Sequence, residues 1–420
     1  MKKSLLALAA FGAFAGAAQA QSSVTVYGLL DMAYVGTSTV QRGSGLNGAT
    51  ANATPSLSQQ TSGISGGGQS TSRLGFRGTE DLGGGMNAFF TVEAALNEGT
   101  AGTFNAGNTG TRLAFVGLGK RGLGTVQAGT VYTPIFEEVG MTDAGGQNNN
   151  GGNMIHPRNG GFGGTNAALG VATTGITRSG NSTNDSYTVR TTNAAVFKTD
   201  RFSGVQAKLM LVSAGNDSNA QTASATTVNN NRGLGGALNF TGVKDLYLTA
   251  SWQNIRHDGF ASTAFAPGYN GGGIDRGSNS SDSQAYYAAS YDFGMLTAYA
   301  QYISRKATSE LDRSNFVKRT AQQIGVKSQL TSTIGVWASA GQGKFNPNGQ
   351  GVKEANMNGY QLGGTYNLSK RTNLYGIFGN TSTSNAANGA YAANPTTVSA
   401  TAAPYSANQS SYAVGVRHTF

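Results

Sequence analysis

The chain has 420 residues, of which 38% are hydrophobic and only 11% charged, and its formal net charge is +10 at pH 7. It contains 63 glycines, about twice the usual share, and no cysteine. A soluble domain normally carries about 25% charged residues. This composition excludes a helical bundle, a coiled coil and a highly charged disordered chain, and it disfavours an α/β enzyme.

The first twenty residues carry the features of a secretory signal peptide in the usual order. Lys2 and Lys3 are followed by an apolar run over 5–18 and by A-Q-A at 18–20. The run is shorter than the ~20 apolar residues of a membrane-spanning helix. The sequence therefore predicts cleavage of residues 1–20, which lowers the formal charge from +10 to +8, and one domain over 21–420.

The first segment after the predicted cleavage site alternates with a period of two. Val24, Val26 and Leu30 share one uncharged face, whereas Thr25 and Asp31 lie on the other. Successive side chains of a strand point to opposite faces, so this pattern predicts a strand with one apolar side. About sixteen such strands are predicted: 24–35, 73–79, 87–97, 111–118, 124–131, 186–198, 204–213, 233–240, 246–255, 284–292, 295–304, 318–329, 333–342, 358–367, 372–381 and 411–420.

The connections between these strands alternate in length. Those after even-numbered strands are short, such as 81–85 and 119–122. Those after odd-numbered strands include long polar segments: 36–71, 132–185, 214–232, 256–283, 305–317, 343–357 and 382–410. Short periplasmic turns and long extracellular loops are typical of outer-membrane barrels. The sequence therefore predicts an all-β fold, a closed antiparallel transmembrane β-barrel of about sixteen strands around a water-filled lumen.

Several stretches resemble the Gram-negative trimeric general porins, most closely the β-proteobacterial branch. They are S-S-V-T-V-Y-G-L-L-D at 22–31, S-R-L-G-F-R-G-T-E-D-L-G-G-G at 72–85, R-L-A-F-V-G-L at 112–118, Y-T-P at 132–134, Y-N-L-S-K-R-T-N-L-Y at 366–375 and V-G-V-R-H-T-F at 414–420. The resemblance implies a homotrimer whose third loop, 132–185, folds into the barrel. It also implies that the barrel-insertion machinery reads the terminal Phe420.

The resemblance further implies a pore constriction with charges of opposite sign on its two sides. The basic wall would consist of Arg73, Arg77, Arg112 and Arg190, and the acidic loop would contribute Glu137, Glu138 and Asp143. Charged rings across a narrow wet pore select ions by sign. We therefore expect passive diffusion of small hydrophilic solutes with a modest preference for anions. The family often has G-R-Q before Y-T-P, where this chain has Thr130 between Gly129 and Val131, so the size of the preference stays open.

No pattern predicts an enzyme, a metal site or a cofactor. His156, His257 and His418 lie far apart in a chain without cysteine. The basic residues at 305–319 are interleaved with acids, which favours contact with lipopolysaccharide over binding of nucleic acid. Three alternatives remain open: a substrate-specific channel, a barrel that acts as an adhesin, receptor or rim enzyme, and a soluble secreted β-protein.

Overall fold

The computed structural model describes residues 23–42, 56–96, 110–157, 186–214, 229–259, 280–310, 313, 316–346, 354–387 and 404–420. The predicted signal peptide lies outside the described residues. Within them the chain forms seventeen strands and one helix: β1 Ser23–Arg42, β2 Ser56–Gly66, β3 Arg73–Gly83, β4 Met86–Ala95, β5 Thr111–Lys120, β6 Gly124–Tyr132, α1 Pro134–Thr142, β7 Arg190–Thr199, β8 Val205–Ala214, β9 Asn229–Phe240, β10 Leu246–Gly259, β11 Ser280–Asp292, β12 Thr297–Ser309, β13 Phe316–Gln329, β14 Ile334–Asn346, β15 Ala355–Asn367, β16 Thr372–Ala387 and β17 Pro404–Thr419.

The strands form one closed antiparallel ring. Each of β3 to β16 pairs with its successor in sequence, and β17 pairs with β1 from Leu29↔Thr419 to Arg42↔Ser406. The first part of β1 pairs with β3 from Ser23↔Thr79 to Leu29↔Arg73. This pairing closes a ring of sixteen strands made of β1 and β3–β17. The closed antiparallel barrel predicted from the sequence is therefore confirmed.

In this ring the apolar side chains of the strands face outward and the polar side chains face inward, which is the reverse of a soluble protein. Large apolar side chains on the outer face are exposed, for example Ile324 (68%) and Val414 (63%). Polar side chains on the inner face are buried, for example Gln361 and Arg305. An apolar outer band around a polar interior is the arrangement of a transmembrane barrel. The soluble alternative requires the apolar faces to pack against each other, and that is not what the described strands do.

β2 is the one described strand outside the ring, and the sequence did not predict it. The expectation of a loop was wrong for 36–42 and 56–66, because β1 continues to Arg42 and its second half pairs with β2 from Met32↔Gly66 to Arg42↔Ser56. Residues 43–55 lie outside the described residues. Both segments are rich in Ser, Thr and Gln, so they lack the apolar alternation that identifies a strand within the membrane. Thr37 and Thr61 join across this pair with an Oγ1–Oγ1 distance of 2.6 Å.

The short turns gather at one rim. In the β3–β4 turn, Gly83, Gly84 and Gly85 have φ values of 78°, 59° and 74°. Side chains with a Cβ rarely adopt these angles, which accounts for the G-G-G run. In the described part of the chain, no helix is long and apolar enough to span a membrane.

The helix α1 and the segment that follows it lie inside the ring. α1 begins at Pro134 after Thr133, whose Oγ1 accepts a hydrogen bond from the Phe136 amide at 3.2 Å. α1 packs on the inner face of β8–β12, and Ile135, Val139, Met154 and Ile155 form a buried apolar cluster that includes residues of β11–β15. The third loop, in which the sequence predicted no regular element, therefore begins with a helix. A Thr N-cap followed by Pro is the sequence signal that marks its start.

Candidate pore constriction

Helix α1 presents two different faces. Ile135 and Val139 are fully buried against the strands, whereas Met141, two residues after Val139, is 60% exposed. The exposed side of α1 thus borders open space within the ring. This open space is the candidate constriction.

The acids of α1 are held by lysines of the neighbouring strands. Glu137 accepts from Lys198 Nζ at 2.5 Å and from Lys208 Nζ at 2.8 Å. Glu138 lies 2.7 Å from Lys208 Nζ and also accepts from Tyr247 Oη at 2.6 Å and Asn239 Nδ2 at 3.0 Å. Burial alone would raise the pKa of Glu138, but the charge and hydrogen bond of Lys208, together with the hydrogen bonds of Tyr247 and Asn239, hold that pKa below its usual value.

Asp143 ends α1 and organises the turn that follows. Its carboxylate accepts from the Gln147 amide at 2.6 Å and from Asn153 Nδ2 at 3.0 Å. Burial raises the pKa of Asp143 above its usual value. The side chain therefore acts as an internal brace of the loop and does not border the open space.

The tip of the loop, residues 148–152, is hydrogen-bonded to the inner wall at β15 and β17. Asn148 Nδ2 donates to Gln361 Oε1 at 2.6 Å, and the Gly151 amide donates to Ser411 Oγ at 3.0 Å. Gly152 has a φ of 93°, and a Cβ on it would lie 2.1 Å from the Tyr360 carbonyl oxygen. Only glycine fits there, so the loop lies directly on the backbone of β15.

Arg112 reaches the lumen through an irregularity of the sheet. Strict alternation would place it on the outer face with Val116, but the β4–β5 register shifts between Glu93 and Ala94. At this bulge Arg112 Nε donates to Glu93 Oε1 at 2.5 Å, and Arg112 Nη2 donates to Tyr132 Oη at 3.0 Å. Bulges commonly redirect a side chain in this way.

The other three predicted arginines lie near the group formed by Glu93, Arg112 and Tyr132. Arg190 is stacked over the Tyr132 ring at 5.9 Å, and Arg77 over the Tyr27 ring at 5.2 Å. Arg73 Nε donates to the Thr71 carbonyl at 3.0 Å. The Tyr132 ring also stacks on Phe136 of α1 with centroids 4.4 Å apart, which joins the arginine wall to the loop.

The structure thus brings the four predicted arginines together but turns the predicted acids away from them. Glu137 and Glu138 face Lys198 and Lys208, two cations that sequence reasoning missed because they lie 61 and 71 residues beyond Glu137. Glu93 was also missed, although its position on the polar face of β4 places it in the lumen. In the structure Glu137 and Glu138 thus pair with lysines of β7 and β8, and the opposition of a basic wall to an acidic loop stays a prediction.

Phe420 extends the pairing of β17 with β1, the seam at which the barrel closes. Its amide donates to the Gly28 carbonyl at 3.1 Å, and its carbonyl accepts from the Gly28 amide at 3.1 Å. Its side chain is 43% exposed on the short-turn side of the ring.

Comparison with known proteins agrees with this architecture. Residues 6–386 match the Gram-negative porin family. The chain is 28% identical over 447 residues to an outer membrane porin protein of Bordetella pertussis, with 100% of both chains covered. It is 37% identical over 197 residues to outer membrane porin protein 32 of Delftia acidovorans, which covers 41% of this chain and 50% of that one.

Among solved structures, the anion-selective porin from Comamonas acidovorans has a similar fold. The TM-score is 0.66 at 20% identity, with 95% of this chain and 100% of that chain covered. The sixteen-stranded ring, the family match and these relatives indicate a passive channel and not an enzyme. The chain belongs to the Gram-negative porin family, in its β-proteobacterial branch, and is a protein of the outer membrane.

Proposed function

We propose that this porin is a general diffusion channel for small hydrophilic solutes with a modest preference for anions. The observation that carries this proposal is the charge balance of the constriction. The acids of α1 are matched by Lys198 and Lys208, and Glu93 is matched by Arg112. The surplus of positive charge therefore lies on the β3 side, at Arg73 and Arg77.

The path for solutes would run between the exposed face of α1 and the arginine wall. Met141 borders it on one side, and Arg77 and Tyr27 border it on the other. Transport through such a path requires no covalent step. Solutes are selected by size and by the sign of their charge.

The expected selectivity follows from Coulomb's law. One excess positive charge about 5 Å from an ion in water contributes about 0.8 kcal/mol. Screening with a Debye length of about 8 Å at physiological salt reduces this to about 0.4 kcal/mol. Because the effect has opposite sign for anion and cation, each such charge at this distance would shift the permeability ratio about fourfold in favour of the anion.

Planar-bilayer recording across a salt gradient tests both parts of the proposal. We expect stepwise conductance and an anion-signed reversal potential. Arg73→Gln with Arg77→Gln should shift that potential toward zero, whereas Lys244→Gln with Lys370→Gln, two exposed lysines in short turns, should not. Absence of conductance steps would overturn the channel, and an unchanged potential in the arginine variant would overturn the charge assignment.

A second candidate is a channel specific for aromatic anions. The observation that favours it is the stacked Tyr132–Phe136 pair beside Arg190, which offers an aromatic surface and a cation in one place. Such a channel would show saturable block of its chloride current by benzoate, and Phe136→Ala would relieve the block. A benzoate current linear in concentration would leave general diffusion as the function.

The assembly of the protein is also proposed from the family resemblance. We expect a homotrimer in contact with outer-membrane lipid and lipopolysaccharide, exported by a signal peptide that is cleaved after Ala20. We expect the insertion machinery to recognise Phe420, whose ring is exposed at the seam. Mass measurement of the purified protein in detergent tests the trimer, and amino-terminal sequencing tests the cleavage.

A further inference from the structure

Arg417 of β17 is a further cation on the inner wall, at the seam where the barrel closes. Its neighbour Val416 is exposed on the outer face, whereas Ala413 is buried on the inner face. Side chains alternate along a strand, so Arg417 points into the lumen with Ala413. It lies opposite Asp31 of β1, and Arg73 of β3 lies on the other side of β1. Arg417 and Arg73 therefore flank the same strand on the inner face of the ring.

The acid that should neutralise Arg417 is engaged elsewhere. Asp31 and Arg417 lie directly opposite each other on paired strands, a position in which opposite charges attract. The Asp31 carboxylate is fully buried, and its Oδ2 accepts from the amides of Gln69 at 2.9 Å and Ser70 at 2.5 Å. Its Oδ1 accepts from Tyr375 Oη at 2.5 Å. Among the described residues Arg417 forms no ion pair, and its buried Nε has no hydrogen-bond partner.

The two amides belong to residues 67–72, a segment between β2 and β3 that folds into the lumen and that we call the inner arm. Gly67 begins the inner arm with a φ of 81°. A Cβ on Gly68 would lie 2.5 Å from Tyr375 Oη, so the inner arm lies directly on the wall. From the opposite side, Asn149 Nδ2 of the third loop donates to the Gly67 carbonyl at 2.8 Å. The inner arm is thus held between the wall and the third loop.

The hydrogen bonds of the inner arm determine which charge the pore water meets at this point of the seam. Asp31 is shielded from water, whereas Arg417 is partly exposed to it. Coulomb energy falls with distance, so an ion in the path interacts more strongly with the accessible guanidinium than with the covered carboxylate. Direct contact between the two groups would cancel most of this field. The arrangement therefore leaves a positive charge in the lumen.

We infer that Arg417 is a selectivity-determining cation of this pore, and that the inner arm maintains this role by holding Asp31 away from it. Arg417 extends the basic wall of Arg73 and Arg77 across the seam and attracts anions and anionic solutes in the path. Asp31 and Tyr375 are positioning residues, because they act through Arg417 and do not touch the solute. The inference deepens the anion preference proposed above and rests on that proposed function.

Reversal potentials in planar bilayers across a potassium chloride gradient test the role of Arg417. Arg417→Gln should lower the ratio of anion to cation permeability by about twofold to fourfold, the effect of one charge at about 5 Å or slightly more. The matched control is Arg121→Gln, at an exposed position of the β5–β6 turn, which should leave the ratio unchanged. Equal ratios in these two variants would overturn the inference.

The same recordings separate a failure of this inference from a failure of the proposed function. An anion-signed potential in the wild type, unchanged in Arg417→Gln, would overturn the role of Arg417 and leave the anion preference in place. A cation-signed potential in the wild type would overturn the anion preference, and with it the inference that rests on it.

The absence of cysteine from the chain allows a second test. In Arg417→Cys, a methanethiosulfonate reagent that carries a trimethylammonium group should restore the anion preference. A reagent that carries a sulfonate should shift the potential further in the cation direction. Both reagents modify thiols that are in contact with water, so no response to either would show that this side chain does not face the path and would overturn the inference.

Tyr375→Phe tests the inner arm without a change of charge. Loss of the hydroxyl leaves Asp31 Oδ1 without its donor, so the carboxylate should turn to Arg417 and the anion preference should fall. Addition of Asp31→Asn should restore the preference, because no carboxylate remains to pair with Arg417. A purely structural effect of Tyr375→Phe would not be reversed by a second substitution. A wild-type preference in Tyr375→Phe, or a low preference in the double variant, would overturn the role of the inner arm.

Discussion

Substitution of Lys208 by methionine tests how α1 is held in the lumen. Lys208 bridges Glu137 and Glu138, and its side chain is only 8% exposed while that of Glu138 is fully buried. Removal of one partner of a buried ion pair costs about 3–5 kcal/mol because it leaves an uncompensated charge. Tyr247 and Asn239 still donate to Glu138, so the lower end, about 3 kcal/mol, applies here.

A loss of about 3 kcal/mol increases the population in which α1 is detached by about a hundredfold. Hydrogen exchange of the amides of 135–142 in the detergent-solubilised protein should accelerate accordingly. The uncompensated carboxylate also lowers the positive potential of the lumen, so the reversal potential across a salt gradient should shift in the cation direction.

Two variants make this prediction specific. Lys244→Met removes a lysine that is 91% exposed and 4.0 Å from Asp245, and it should change neither measurement. Glu138→Gln added to Lys208→Met removes the buried charge, and it should restore much of the exchange protection, since the amide still bonds to its polar neighbours. If Lys208→Met alone left the exchange of α1 at the wild-type rate, the ion pair would not be what holds the helix.

Three further predictions concern the loop and the seam. The pKa of Glu138 lies below the usual glutamate value of about 4.3. The contribution of Glu138 to anchoring α1 is therefore complete above about pH 4.3 and is lost as the pH falls through the lowered pKa. Open-channel current noise should be constant from about pH 7 to about pH 5 and increase below about pH 4, and a Glu138→Gln variant should lack that increase. Gly152→Ala should change single-channel conductance by displacing the loop tip, whereas Gly376→Ala, at a position with open space around it, should not; equal conductance in both would refute the close contact of the tip with the wall. Phe420→Ala should reduce the amount of protein in the outer membrane while inserted channels conduct normally, and undiminished assembly would exclude a signalling role for the terminal aromatic ring.

The strands that cross the membrane were predictable because lipid on one side and water on the other impose a period of two on the sequence. All sixteen predicted runs overlap strands of the ring. β2 was not predictable from the same pattern, because its Ser, Thr and Gln side chains meet no lipid. The structure also extends β10 to Gly259 and β14 to Asn346, beyond the apolar part of each predicted run.

The constriction was predictable only in part. Arg73 and Arg77 follow from their alternation with Phe76, but Arg112 reaches the lumen through a bulge that the sequence does not reveal. The partners of Glu137 and Glu138 depend on where α1 lies along the inner wall. Tertiary contacts determine that position, so it cannot be predicted from the local sequence.

The pairing of β1 with β17 has a consequence for biosynthesis. Fourteen residue pairs join the first strand to the last, from Leu29 to Arg42, and none of them can form before the final segment has left the ribosome and crossed the periplasm. Until then both edges carry open backbone groups, each of which costs several kcal/mol in hydrocarbon. A polypeptide that lacks β17 therefore cannot close the barrel, and its unpaired strand edges make it unstable in the bilayer.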